Sequence, residues 1–168
     1  VDMLANENLA LLVNVSASLW SPENEAARAR LLPRVARAVG APLVYCNLVG
    51  GNDEMVCGGG SSVLNAGGDY CLLMEKFSEA LSIAELDALE PAEAPEFERI
   101  PELYSALVMA LGDFVKKSGF SKVLLGLSGG IDSALVATPA ADAVGPENVT
   151  GISLPSKFFS GHSKSDAS

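Results

Sequence analysis

Apolar positions along the chain come in short runs, separated by glycine, proline and polar clusters. Residues 9–15, a run of leucine, alanine and valine broken only by Asn14, read as a buried strand. Pro22 and Glu23 then open a helical pattern over residues 26–39. Its acids lie at the N-terminal end and its arginines at 28, 30, 34 and 37, an order that suits the helix dipole. Pro33 falls inside this pattern, where the missing N–H and the ring are expected to kink it. Gly40 ends the helix, and residues 42–47 make a second apolar strand. Gly50 and Gly51 are expected to turn the chain. Residues 61–64 and 70–74 read as two short strands joined by a hairpin turn of Asn65, Ala66, Gly67, Gly68 and Asp69.

Residues 76–100 have another texture, acidic and alanine-rich with Pro91 and Pro95, and Pro101 follows them. They read as a solvated linker with a helical turn or two, an acidic interaction tail being the alternative. Beyond it, Pro101 and Glu102 mark a helix start, and Leu103, Leu107, Leu111 and Phe114 fall on one face. Lys116 and Lys117 sit in its last turn and Gly119 where a C-cap belongs. A strand at 122–127, a glycine turn, a helix at 131–144 and a strand at 149–154 follow. Strand, helix and strand in so few residues predict a right-handed βαβ unit with parallel strands. The fold class is therefore α/β, and no internal repeat is visible.

A chain of 168 residues with 49% apolar and 19% charged positions can bury a core, and its length is that of one ordinary domain. No run approaches the roughly 18 apolar residues that would span a bilayer, and no secretory leader pattern opens the sequence. The first residue is valine, which hints at a natural start elsewhere. The net charge of −10 disfavours non-specific nucleic-acid binding, which depends on neutralising phosphates. That charge is concentrated. Nine acids and two bases between Glu75 and Glu102 carry −7 of it, so an anion site elsewhere is compatible with the composition. Three cysteines at spacings of 11 and 14 make neither a disulfide framework nor a metal pair, which suits a reducing cytoplasm. Cys46, Cys57 and Cys71 all read as small packing residues.

Candidate chemistry is concentrated in Gly126, Leu127, Ser128, Gly129, Gly130, Ile131, Asp132 and Ser133, where a strand ends and a helix begins. Glycines let the backbone turn tightly, and the free N–H groups of a first helical turn favour an anion. Ser128 and Ser133 add hydroxyl donors. Asp132 would repel a bare phosphate, so its presence points to an intervening Mg²⁺. A Walker A loop is excluded because no lysine follows the glycines, and a dinucleotide fingerprint because Ser128 takes the second glycine position.

The string from Ser128 to Ser133 resembles the pyrophosphate loop of the N-type ATP pyrophosphatases, enzymes that split ATP to AMP and pyrophosphate to adenylate a substrate. The wider window narrows the likeness. Gly119 and Phe120, Val123 through Ala137, and Leu154, Pro155, Ser156 and Lys157 followed by Ser160, Ser163, Ser165, Asp166 and Ala167 resemble the start of the synthetase domain of glutamine-dependent NAD⁺ synthetases. Residues 14–18, residues 44–54 and Gly59, Gly60 and Ser61 resemble the late part of that family's nitrilase-type glutaminase domain.

The resemblance implies a partial nitrilase-like α/β sandwich over 1–75, an acidic Pro/Ala-rich linker over 76–100, and a partial Rossmann-like parallel sheet of the ATP pyrophosphatase type over 101–168. It implies ATP and Mg²⁺ as cofactors, with ATP contacts along Gly126–Ser133 and the metal at Asp132. The reaction implied is ATP-dependent amidation of deamido-NAD⁺ by glutamine-derived ammonia, in a cytoplasmic homo-oligomer with no nucleic acid or membrane partner. Ser18 matches a glutamine-contacting serine, but the basic residue expected six positions later is Asn24. The family's nucleophilic Cys and its Glu and Lys partners fall upstream of this chain, so no catalytic residue is assigned and the chain alone is expected not to turn over. The alternatives are another ATP-splitting amidotransferase, such as a GMP or asparagine synthetase, or a nucleotide-binding remnant without chemistry. Pro139, inside the helix behind the loop, departs from the family. His162 reads as an exposed loop residue, Lys157 and Lys164 as candidates for a phosphate when that loop closes, and Arg28, Arg30, Arg34 and Arg37 as a solvated helix face.

Overall fold

A computed structural model describes residues 3–5 and 7–153. Lys157, His162, Lys164 and the Ser165–Asp166–Ala167 run lie outside the described residues, as does the last residue of the expected final strand. The chain divides into two compact units. One holds the residues up to Gly50 together with Glu54–Ala106, and the other holds Gly51–Asp53 together with the residues from Leu107 onward.

The first unit is built on a four-stranded sheet in the order β1–β2–β5–β6. β1 (Leu12–Ser16) pairs in parallel with β2 (Leu43–Asn47), and β5 (Ser62–Leu64) and β6 (Tyr70–Leu73) add antiparallel to it. Parallel pairing of β1 and β2 needs a crossover, and α1 (Pro22–Val39) supplies it. Ser21 caps this helix by accepting from the Asn24 N–H, Pro22 fills the first turn, and Gly40 ends it at φ +67°. The helix is continuous from Pro22 to Val39 with Pro33 inside it. Leu32 and Ala36 on its inner face close the core with Leu43, Tyr45, Leu64 and Tyr70 from one face of the sheet.

Side chains alternate across a strand, so the other face carries Val13, Val15, Val44, Cys46, Val63 and Leu72. It is apolar too, yet Val13, Val15 and Cys46 are exposed. Residues 78–86 run beside it and leave a groove of about 560 Å³. Cys46 is thus a surface thiol rather than a packing residue, because it sits on the face that α1 does not cover. Cys57 is buried and Cys71 half-buried.

The chain turns later than the glycines suggest. Gly50 and Gly51 lie within β3 (Val49–Asn52), and the reversal falls at Asp53, in the left-handed region at φ +51°, before β4 (Met55–Gly58). The hairpin between β5 and β6 is as expected: Asn65 donates its N–H to the Asp69 carbonyl at 3.0 Å and its side chain bonds Asp69 again. Residues 76–98 contain one short 3₁₀ turn, Leu86–Ala88, and are mostly exposed, but Ala92 donates its N–H to the Tyr70 carbonyl at 2.7 Å.

Helix α2 (Arg99–Lys117) starts two residues before Pro101, a residue tolerated in a first turn that has no backbone partner to lose. The apolar stripe read from the sequence is not its most buried side. Leu103, Leu107 and Phe114 are exposed, whereas Ala106 and Val115 are buried. Close approach decides this in the second unit: a Cβ on Gly51 would lie 3.0 Å from the Ala110 Cα, and one on Gly112 would lie 3.3 Å from the Ala143 carbonyl. Small residues set those contacts, while Leu111 is half-buried and Leu103 and Leu107 stay exposed.

The second unit contains a parallel pair, β7 (Val123–Leu127) with β8 (Val149–Ser153), joined by α3 (Ile131–Val144). This is the βαβ unit read from the sequence. Pro139 does not break α3, and Ala140 behind it is buried. The mixed parallel and antiparallel sheets agree with the α/β class. No helix among the described residues is long and apolar enough to cross a membrane.

Candidate functional site

The loop after β7 is folded on its own serines. Ser133 Oγ donates to the Gly130 carbonyl at 2.9 Å and accepts from the Ser128 N–H at 3.3 Å. The Ser128 Oγ lies 3.2 Å from Ser133 Oγ and accepts from the Gly130 N–H at 3.3 Å. Gly129 between them takes φ +76°, a conformation open to glycine. Gly130 is the N-cap of α3 and offers no side-chain cap, so donors of the first turn remain for a ligand. Asp132 stands in that first turn, exposed to solvent, as is Ile131. All eight sequence-assigned residues, Gly126 to Ser133, thus fall on one strand end, one turn and one helix start.

A divalent cation fits this set in only one manner. Among the described residues no three His, Cys, Asp or Glu side chains converge to hold a metal. Asp132 is a single carboxylate, and Mg²⁺ is commonly held by one or two carboxylates plus the phosphates of a nucleotide.

Ser18 lies far from that loop in sequence, in the first unit after β1. Asn47 fixes it, accepting from the Ser18 N–H at 2.8 Å and donating to the Gly59 carbonyl at 2.9 Å. Asn24 does not approach Ser18 as a basic residue would. Its backbone N–H goes to the cap at Ser21 and its amide to the Leu19 carbonyl. The guanidinium comes instead from Arg28, one helical turn further on, which donates to Ser18 Oγ at 2.8 Å. Arg28 is therefore not part of the solvated arginine face. It also stacks over Tyr45 at 5.4 Å and pairs with Glu25 at 2.5 Å.

This contact opens a network that sequence reading missed. Glu25, buried on α1, holds Lys76 at 3.0 Å, and Lys76 holds Glu102 of α2 at 2.7 Å. The indole N–H of Trp20 donates to the second oxygen of Glu102 at 3.2 Å. The one local signal for it in the sequence is the i,i+3 spacing of Glu25 and Arg28. Burial pushes the Tyr45 phenol above its ordinary value of 10.0, and the charge of Arg28 over its ring opposes this without overcoming it.

A parallel strand that ends in a glycine turn and opens a helix with uncapped donors places this unit in the α/β class and leaves an arrangement that would favour an anion. Comparison with known proteins carries this further. The family model of NAD synthase matches residues 103–168. The glutamine-dependent NAD(+) synthetase of Synechocystis is 42% identical over 98% of this chain, and that of Rhodobacter capsulatus is 46% identical over 80%. The solved glutamine-dependent NAD+ synthetase from Acinetobacter baumannii, a complex with ADP, superposes with a TM-score of 0.90 over 98% of this chain at 36% identity. The chain is a homologue of glutamine-dependent NAD⁺ synthetases over nearly all its length. It spans about a third of theirs, 30% of the Synechocystis protein and 32% of the Acinetobacter baumannii chain.

Proposed function

We propose that this chain carries part of an ATP-dependent amide ligase that converts deamido-NAD⁺ to NAD⁺ with ammonia drawn from glutamine. Residues 1–75 are the later part of a nitrilase-type glutaminase domain, 76–100 a linker and 101–168 the start of the synthetase domain, a Rossmann-like unit of the ATP pyrophosphatase type. The observation that carries the reading is the serine-braced loop at 128–133, in a chain that matches the synthetases across both stretches.

In this reading the free N–H groups of the loop and of the first turn of α3, with the two serine hydroxyls, would hold the phosphates of ATP, and Asp132 would hold Mg²⁺ against them. A cation held at Asp132 would supply neutralisation of the charge on the leaving pyrophosphate. The carboxylate of deamido-NAD⁺ attacks the α-phosphorus, pyrophosphate leaves, and ammonia then displaces AMP to give the amide. Ser18 contacts glutamine in the other stretch. The setting is the cytoplasm, and the working assembly is a homo-oligomer.

Titration of this chain with Mg·ATP tests the site directly. Asp132→Ala should abolish binding while the circular dichroism spectrum stays unchanged, and an unaltered affinity in that variant would sink the assignment. Isolated alone, the chain should bind without turnover. The polypeptide as it occurs in cells should form AMP only when deamido-NAD⁺ and ammonia are both present. Binding without AMP formation there would leave a nucleotide-binding remnant.

A further inference from the structure

We propose that Arg28 is a positioning residue for the glutamine contact at Ser18: it holds the Ser18 hydroxyl as a hydrogen-bond donor, so that the hydroxyl selects an acceptor oxygen of the substrate. The proposal rests on the reading that Ser18 contacts glutamine, and adds the group that orients that contact.

Ser18 lies half-buried between β1 and α1, and that connection is pinned from both sides. Asn47, buried at the end of β2, accepts from the Ser18 N–H at 2.8 Å and donates to its carbonyl at 3.4 Å. Two residues on, the Trp20 N–H donates to the Val56 carbonyl of β4 at 2.7 Å. Asn47 is fixed in turn, its amide by the Gly59 carbonyl and its N–H by Ser61 Oγ at 3.0 Å. Both backbone groups of Ser18 are therefore occupied, and the hydroxyl is its polar group left to meet a ligand.

Arg28 decides which way that hydroxyl works. A guanidinium carries donors only and stays charged, so at 2.8 Å the Ser18 Oγ must be the acceptor. Accepting from a cation polarises the O–H and makes it a better donor. The same cation repels a second one, which disfavours the ammonium group of an amino acid at this position. What suits the hydroxyl is an electron-rich oxygen, a carboxylate or an amide carbonyl. The Tyr45 phenol beside Ser18 is kept protonated by burial, so it competes for the Ser18 proton only as a neutral oxygen, a weaker partner than a carboxylate.

The guanidinium can orient Ser18 because it is itself held. Buried Glu25 takes its other terminal nitrogen at 2.5 Å, and the Tyr45 ring lies under it at 5.4 Å. The second Glu25 oxygen pairs with Lys76 at 3.0 Å, which fixes the carboxylate. Two nitrogens of one planar fork thus meet Glu25 and Ser18 at once. A lysine offers one nitrogen in place of two and does not reproduce the fork.

Glutamine titrated into the polypeptide as it occurs in cells tests this through a double-mutant cycle. Ser18→Ala should weaken glutamine binding about tenfold to a hundredfold, and Arg28→Lys about fivefold or more. In the Ser18→Ala background Arg28→Lys should cost less than about twofold further, because the hydroxyl it orients is gone. An arginine that is only structural, or that touches the substrate itself, would cost the same in both backgrounds, and that result overturns the proposal. So does an Arg28→Lys chain that binds as tightly as the unaltered one while Ser18→Ala does not, which leaves the Ser18 contact standing. An unaltered affinity in Ser18→Ala, or no binding to the unaltered polypeptide, overturns the Ser18 reading and the proposal with it. If Arg28→Lys fails to fold, as circular dichroism would show, Arg28→Met with Glu25→Leu takes its place, since it removes both charges together. Glutamine methyl ester separates the two acceptors. Ser18→Ala should weaken its binding less than about threefold if the hydroxyl meets the carboxylate, and by the full factor if it meets the amide carbonyl.

Discussion

Arg28 donates to Ser18 Oγ at 2.8 Å from ten residues away along the chain. Its other terminal nitrogen lies 2.5 Å from Glu25, a carboxylate that is almost fully buried. Removing one partner of a buried pair leaves the other charge uncompensated, which costs more than the pair itself contributes. Arg28→Gln should therefore destabilise the first unit by about 2 to 4 kcal/mol, Lys76 holding part of the Glu25 charge. Replacing both as Arg28→Met and Glu25→Leu should cost less than Arg28→Gln alone. Urea midpoints of the three chains decide the matter, and equal losses in both variants would contradict it.

Gly59 is held by its backbone and by a neighbour at once. It takes φ +68°, and a Cβ there would lie 2.5 Å from Val49 Cγ2. Gly59→Ala should cost about 2 to 4 kcal/mol, the strain of a left-handed alanine adding to the overlap. Val49→Ala in the same chain removes the overlap but not the strain. The double variant should recover part of the loss beyond simple addition, which a double-mutant cycle on thermal unfolding would measure.

The geometry of the loop at 126–133 was legible because everything it needs is local: a strand end, two glycines, two serines and a helix start within eight residues. Elements set by periodicity were legible to within a few positions, as α1 and the β5–β6 hairpin show. What escaped depends on contacts distant in sequence. The turn was placed at Gly50 and Gly51, but Gly51 is glycine because Ala110 approaches it, and the reversal falls at Asp53. The apolar stripe of α2 was legible as one face of a helix, yet the close approaches are set by small residues elsewhere on it, Ala110 against Gly51 and Gly112 against Ala143. Asn24 looked like the loss of a basic residue near Ser18 until Arg28 was seen to reach the same hydroxyl. The ion pairs joining Glu25, Lys76 and Glu102 span segments that no local pattern links.

Tyr45 makes stability fall at alkaline pH. Its phenol is raised above 10.0 by burial, so the folded state holds the proton more tightly than the unfolded chain does. The contribution is complete below the unfolded value of about 10 and is lost as pH rises through the higher folded one. Tyr70 is raised by burial in the same direction. The urea midpoint should hold steady up to about pH 10 and decline above it, with tyrosinate absorbance appearing together with unfolding. Tyr45→Phe should flatten part of that decline, and an unchanged slope would show that Tyr45 contributes nothing to it.

Pro139 lies in the ninth position of α3 and cannot donate to the Leu135 carbonyl, yet the helix continues to Val144. An interior proline costs a helix roughly 3 kcal/mol relative to alanine, part of it offset because proline also restricts the unfolded chain. Pro139→Ala should therefore stabilise the second unit by about 1 to 3 kcal/mol, read from amide exchange along α3. The loop bonds of Ser128, Gly130 and Ser133 all lie more than one turn before the substitution. Affinity for Mg·ATP should consequently change less than twofold, a difference of under about 0.4 kcal/mol. A large gain in affinity without added exchange protection would mean instead that the proline acts on the loop itself.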